Sequence, residues 1–175
     1  MRSILCAFAL ACAATPALAA MAITSPDLAP GKPMPAKHVY PRCGGQNVSP
    51  ALAWSGAPAG TKSLVLTMID MDVKPAFWSH WIVVDLPANA AGLPEGVSAL
   101  PAPARGVVSN FGDPVYAGPC PPPGSGIHHY QFTIWAMKAA RTVLANDAKA
   151  PEVIATLTAG SLAHAQLTTA VAANP

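Results

Sequence analysis

Charged side chains make up only 10% of this 175-residue chain, and they form no run of one sign. Ten Lys and Arg against eight Asp and Glu leave a formal charge of +2. With no basic stripe, nucleic acid and acidic membrane surfaces are poor partners. No apolar run after the N-terminus approaches the roughly 20 residues that a bilayer demands, which excludes a transmembrane segment. Internal repeats and low-complexity blocks are missing too, so neither a solenoid nor a long linker is expected. Cysteine is sparse, at four. Cys6 and Cys12 fall in the first apolar stretch, and Cys43 has no further Cys or His at zinc-ligand spacing.

What the chain does have is proline, 20 residues of it, and an N-terminus built for export. Arg2 supplies a positive start, Ile4 to Ala14 is an apolar run too short to span a membrane, and Ala17-Leu18-Ala19 is a small-residue cleavage site. Residues 1–19 therefore read as a signal peptide and residues 20–175 as a single exported domain, periplasmic or secreted. Acylation at Cys12 is disfavoured by the short apolar run before it. Cleavage leaves Cys43 and Cys120, in different loops. In an oxidising compartment a disulfide between them is expected, the alternative being two buried thiols.

The pattern is one of strands, with helix only late. Ala51 to Trp54 follows the turn at Ser49-Pro50. Ser63 to Asp70 is rich in Leu, Val, Thr and Ile, and places Leu64, Leu66, Met68 and Asp70 on one face. His80 to Leu86 is almost continuously apolar, as in a strand covered on both faces. Tyr130 to Lys138 alternates. Glu152 to Leu162 has helical spacing with Pro151 at its start, and Gln166 to Val171 is a closing strand. Ala88 to Gly118, carrying Pro94, Pro101, Pro103 and Pro114, is irregular. The expected fold is mainly β, an antiparallel sandwich of two packed sheets with a helix near the C-terminus.

Two loops concentrate the chemistry: Asp70 to Trp81, and Gly118 to Tyr130. Each sets titratable side chains among prolines or glycines at the end of an apolar strand, where binding sites tend to be built. His128 and Tyr130 are two apart and face the same way, with His129 opposite. Asp70 ends one strand and His80 begins the next. The connection between them brings the carboxylate beside that imidazole, where it fixes the tautomer and favours the charged form. Two imidazoles, a tyrosine hydroxyl and the Gly118 backbone would form a cup for phosphate, sulfate or carboxylate. Gly118 and Gly124 would permit close approach of the ligand. Ser79 adjoins His80, but strand neighbours face opposite ways, so no nucleophile–base pair is formed. Cys120, His128 and Met137 occur in blue-copper order at too wide a spacing, and no metal or cofactor is expected.

Several segments, in order, carry a resemblance: Cys43-Gly44-Gly45-Gln46-Asn47-Val48-Ser49-Pro50 with Leu52 and Trp54, Ala57-Pro58-Ala59-Gly60-Thr61-Lys62-Ser63, the Asp70 loop with His80-Trp81, Gly118-Pro119-Cys120-Pro121-Pro122, and His128 with Tyr130. Together they resemble the phosphatidylethanolamine-binding protein family, in its bacterial Raf-kinase-inhibitor-like branch, from about Ile23 to Val171. The resemblance implies a β-sandwich with C-terminal helices. It also implies a pocket for anions such as phosphate and phosphorylated head groups, built from Asp70, His80, Gly118, His128 and Tyr130, with Asp72 and Pro119 beside them. The sequence departs from the family pattern in three places. Met71 and Lys74 alter a loop that usually reads Asp-Pro-Asp-Ala-Pro, which removes a cis-proline and adds a positive charge. His129 stands where an Arg is usual. The stretch from Pro75 to Trp78 is short and lacks glycine. The expected function is non-catalytic binding of a small anion or phosphorylated head group. The alternatives are an inhibitor or interaction protein acting on a protease- or kinase-like partner, and a hydrolase using the His/Asp pocket.

Overall fold

The computed structural model describes residues 20–145 and 147–173. The predicted signal peptide, residues 1–19, lies outside them. The described chain is mainly β, with two antiparallel sheets and one helix near the C-terminus. A small sheet runs β1 (Ala22–Thr24), β2 (Leu52–Ser55), β5 (Gly92–Leu93). A large sheet runs β6 (Arg105–Gly106), β4 (Trp78–Pro87), β3 (Ser63–Asp70), β7 (Ile127–Met137), β8 (Ser161–Ala172). The helix α1 (Ala150–Gly160) precedes β8 without a loop.

The centre of the large sheet is covered on both faces, which is why β3 and β4 read as continuous apolar runs. On one face Leu64, Leu66, Met68, Trp81, Val83, Phe132 and Ile134 meet Ile23, Leu52, Trp54 and Leu93 of the small sheet. On the other, Val65, Ile82, Val84, Trp135 and Met137 lie under Val153 and Leu157 of α1. All eight residues of β3 are buried. Each fully buried Leu or Ile contributes roughly 1.5–3 kcal/mol. This core holds the ends of β3, β4 and β7 in fixed register.

Three features differ from expectation. The irregular stretch 88–118 contains β5 and β6, each only two residues long and created by pairing rather than by local pattern. The helix stops at Gly160, and Leu162 belongs to β8, where it is exposed. The Asp70 loop does hold a cis peptide bond, at Lys74–Pro75. Within that loop Phe77 adopts φ = 52°, a left-handed conformation at a position where glycine would be at ease. Lys74 lies over the Phe77 ring, 5.3 Å from its centroid.

The last strand has a second partner. β8 pairs along β7, and on its outer edge it receives residues 31–34. The Gly31 and Met34 amides donate to the carbonyls of Thr168 and Ala170, and the Thr169 hydroxyl donates to the Lys32 carbonyl. The sheet edge is thereby partly covered.

Candidate functional site

β3 ends, and β4 and β7 begin, at one end of the large sheet. Asp70 stands opposite Trp78 on one side and Tyr130 on the other. A cleft of about 300 Å³ opens there, with Asp70, His80 and Tyr130 among its lining residues. One wall comes from the strand ends, with Val73 and Trp78 on the rim. The other comes from the turn at Pro41–Cys43 and the segment Cys120 to Pro122. A disulfide between Cys43 and Cys120, with Cα atoms 5.4 Å apart, ties that second wall together. Phe111 packs against His80 with ring centroids 4.7 Å apart, and edge-on to Trp78. A neighbouring hollow around the disulfide has Arg42 as its one charged lining residue, so the titratable chemistry belongs to the first.

Asp70 is buried and both of its oxygens are engaged. Oδ1 accepts the Asp72 amide at 2.9 Å, and Oδ2 accepts His128 Nδ1–H at 2.7 Å. The expected Asp70–His80 pair is therefore not formed. β3 lies between β4 and β7, and its terminal carboxylate turns to the β7 imidazole. His80 instead donates Nδ1–H to the Ala117 carbonyl at 2.9 Å. Burial pushes its pKa down to about 4, outweighing the Ala117 carbonyl and the Asp70 charge that act in the opposite direction. The ring is thus neutral near pH 7, not favoured in its charged form.

Tyr130 is fully buried, meets His80 edge-on at 5.0 Å, and holds its hydroxyl out of solvent's reach beside the Asp70 carboxylate. Burial first, and the Asp70 charge next, drive its pKa upward, so it is a donor and not a phenolate.

The remaining predicted residues sit around the cleft and not in its lining. His128 is buried behind Asp70 and stacks with Tyr130 at 6.5 Å. The Cα of Gly118 faces another segment of the chain, and its backbone lies beside the buried His80 ring. A Cβ there would overlap the His38 carbonyl and come within 2.7 Å of the Tyr40 nitrogen. Its amide donates to Asn47 Oδ1 at 2.7 Å. Gly124 has φ = 74° and nothing near its Cβ position, so it serves the turn. The Pro119 carbonyl accepts the Tyr40 amide. Asp72 caps the outside of the loop, accepting the His129 amide at 2.6 Å and its ring Nδ1–H at 2.9 Å. Against a desolvation cost, these two contacts hold the Asp72 carboxyl below its ordinary value. His129, which stands where an Arg is usual, thus still pairs with Asp72, as a contact that is ionic only when the imidazole is protonated. Ser79 is buried and exchanges hydrogen bonds with Asn110.

Arg42 and Phe111 line the cleft and were not expected from the sequence. Arg42 is exposed at the mouth and forms no salt bridge among the described residues. The one signal for it was its position beside Cys43.

Known proteins match this architecture. A family model for phosphatidylethanolamine-binding protein matches residues 24–172. The Escherichia coli protein YbcL is 36% identical over 158 residues, covering 86% of each chain. YbhB of the same organism is 40% identical over 155 residues, covering 85% of this chain and 98% of its own. A Mycobacterium tuberculosis relative that carries a lipoprotein name, LppC, is 39% identical over 130 residues, or 73% of this chain and 62% of its own. The crystal structure of YbcL, described as a member of the mammalian PEBP family, superposes with a TM-score of 0.81 at 34% identity. It covers 90% of this chain and 99% of that one.

Proposed function

The chain belongs to the phosphatidylethanolamine-binding protein family, and on that premise we propose that it is an exported, non-catalytic binding protein whose cleft takes phosphate or a phosphorylated head group. The observation that carries this reading is Arg42, a guanidinium with no salt bridge among the described residues, at the mouth of a cleft lined by Asp70, His80 and Tyr130. A guanidinium is a planar donor suited to phosphate oxygens. Ser79, the hydroxyl nearest His80 in sequence, is tied to Asn110, which supports binding without covalent chemistry. Export is supported by the bonded Cys43 and Cys120 and by the lipoprotein name of the mycobacterial relative. Among the described residues no helix is long and apolar enough to cross a membrane. The proposed mature protein is a single domain beginning near Ala20.

Calorimetric titration with inorganic phosphate and with a phosphomonoester tests the reading. Binding is expected with the wild-type protein. Arg42→Gln should weaken it by roughly 1.5–3 kcal/mol, the range for a hydrogen bond to a charged group. Tyr130→Phe, which removes a hydroxyl that solvent does not reach, should weaken it less. Absence of binding heat from either ligand at millimolar concentration would remove the anion reading.

A further inference from the structure

The disulfide is not enclosed. Cys43 and Cys120 are each only half-buried, and both line the hollow of about 410 Å³ beside the cleft. Cys120 also lines the cleft, so its side of the bond faces both spaces. Arg42 stands in both linings, exposed and without a salt bridge among the described residues, and is the one charged residue of the hollow. The reagent that breaks a disulfide is a thiolate, which is an anion. A nearby cation raises its local concentration and stabilises the thiolate that leaves.

The two tips that the bond joins have no other bonded link. Their bases are tied without it, since the Tyr40 amide donates to the Pro119 carbonyl at 2.9 Å and the Gly118 amide to Asn47 Oδ1 at 2.7 Å. Beyond those, no hydrogen bond or salt bridge among the described residues runs from residues 41–45 to residues 120–123. The turn bonds to itself, from the Cys43 amide to Tyr40 and from the Gly44 amide to Pro41. Opposite it, three prolines follow Cys120 and have no N–H to offer. We propose that Cys43–Cys120 is a reversible redox site, reduced in the folded protein by a dithiol that reaches it through the hollow. The first thiolate attacks Cys120 Sγ, the S–S bond breaks, and Cys43 leaves as a thiolate next to Arg42. The reductant's second thiol then displaces Cys120 from the mixed disulfide. The reductant ends as its own disulfide, its two protons pass to the cysteines, and the Arg42 turn is released from the Cys120–Pro123 wall while the bases stay tied.

Reduction of the oxidised protein by dithiothreitol at about pH 8, near the ordinary thiol pKa, followed by alkylation and mass spectrometry, tests the site without any cleft ligand. Two alkylated cysteines per chain are expected, at a rate proportional to reductant and unchanged over the first ~1 M of urea. A bond reached only by unfolding would react about tenfold or more faster across that range, or at a rate that levels off with reductant. Either result, or no reduction at all, overturns the proposal. Arg42→Gln, at an exposed position, should slow the reaction severalfold, and a rate equal to that of the wild type overturns the part given to the guanidinium. Trypsin then reads the release. Reduction and alkylation should speed cleavage after Arg42 by about tenfold or more, with cleavage after Arg141, exposed in another loop, changed much less. Parallel acceleration at the two sites would mean a general loosening and overturns the local release.

Discussion

Replacing Cys43 and Cys120 together by Ser should destabilise the protein by about 4 kcal/mol. The two residues are 77 apart, so the bond closes a long loop that contains β2 to β6. The loop-entropy relation gives about 4.5 kcal/mol for a ring of that size, and measured bridges usually deliver 2–4. Since single domains are stable by only 5–15 kcal/mol, roughly, the loss is a large fraction of the total. The double variant should nevertheless remain folded. Both faces of β3 are packed by residues that the bond does not touch. With a urea slope of roughly 2 kcal/mol/M, the unfolding midpoint should drop by about 2 M at unchanged slope. Affinity for phosphate should fall with it, since the bond joins the turn bearing Arg42 to the Cys120–Pro122 wall. An unchanged midpoint in the double variant, or two free thiols in the unfolded but unreduced protein, would refute this reasoning.

Further outcomes follow from the same geometry. His80 has a folded pKa near 4, below its ordinary 6.5, so between these values only the unfolded chain takes up a proton. Stability should therefore fall as pH drops from about 6.5 to about 4, by up to about 3 kcal/mol, and His80→Gln should flatten that limb in urea titrations at several pH values. An equally steep limb in the variant would assign the loss elsewhere. Gly118→Ala forces a Cβ into the His38 and Tyr40 backbone, and should cost about 2–3 kcal/mol in thermal melts; a melt like that of the wild type would disprove the close approach. His128→Ala leaves Asp70 buried without its partner and should cost about 3–5 kcal/mol, whereas His129→Ala breaks an exposed pair and should cost less than about 1. Similar losses in the two variants would show that the strand faces have been misassigned.

The strands were legible where burial writes itself into composition. β3 and β4 are mostly apolar because both sides of the sheet are covered, and β7 alternates around His128 and Tyr130, leaving His129 outside. The helix-to-strand boundary at Gly160 was not legible, because no turn residues intervene and Leu162 continues the helical spacing into β8. β5 and β6 have no local signature at two residues each. At the site, the residue types were readable and their pairings were not. Which imidazole Asp70 meets depends on β3 lying between β4 and β7. Gly118 announces a close approach, but only the fold shows that the approaching group is the chain itself. Arg42 is brought to the cleft by a turn far from the strand ends, so its role follows only once Cys43 is known to meet Cys120.

The outer edge of β8 carries a kinetic consequence. Residues 31–34 find their long-range hydrogen-bond partners at residues 168–170, a separation of 137 positions between Lys32 and Thr169. Such closure brings no reward until nearly all of the domain is available to fold, and the entropy of joining distant segments is borne before any contact forms. The 31–34 segment is therefore expected to dock late, onto a sheet already assembled by β3, β4 and β7. Until it does, β8 presents an open ladder of amides and carbonyls, and the folding domain is most prone to mispairing during that interval.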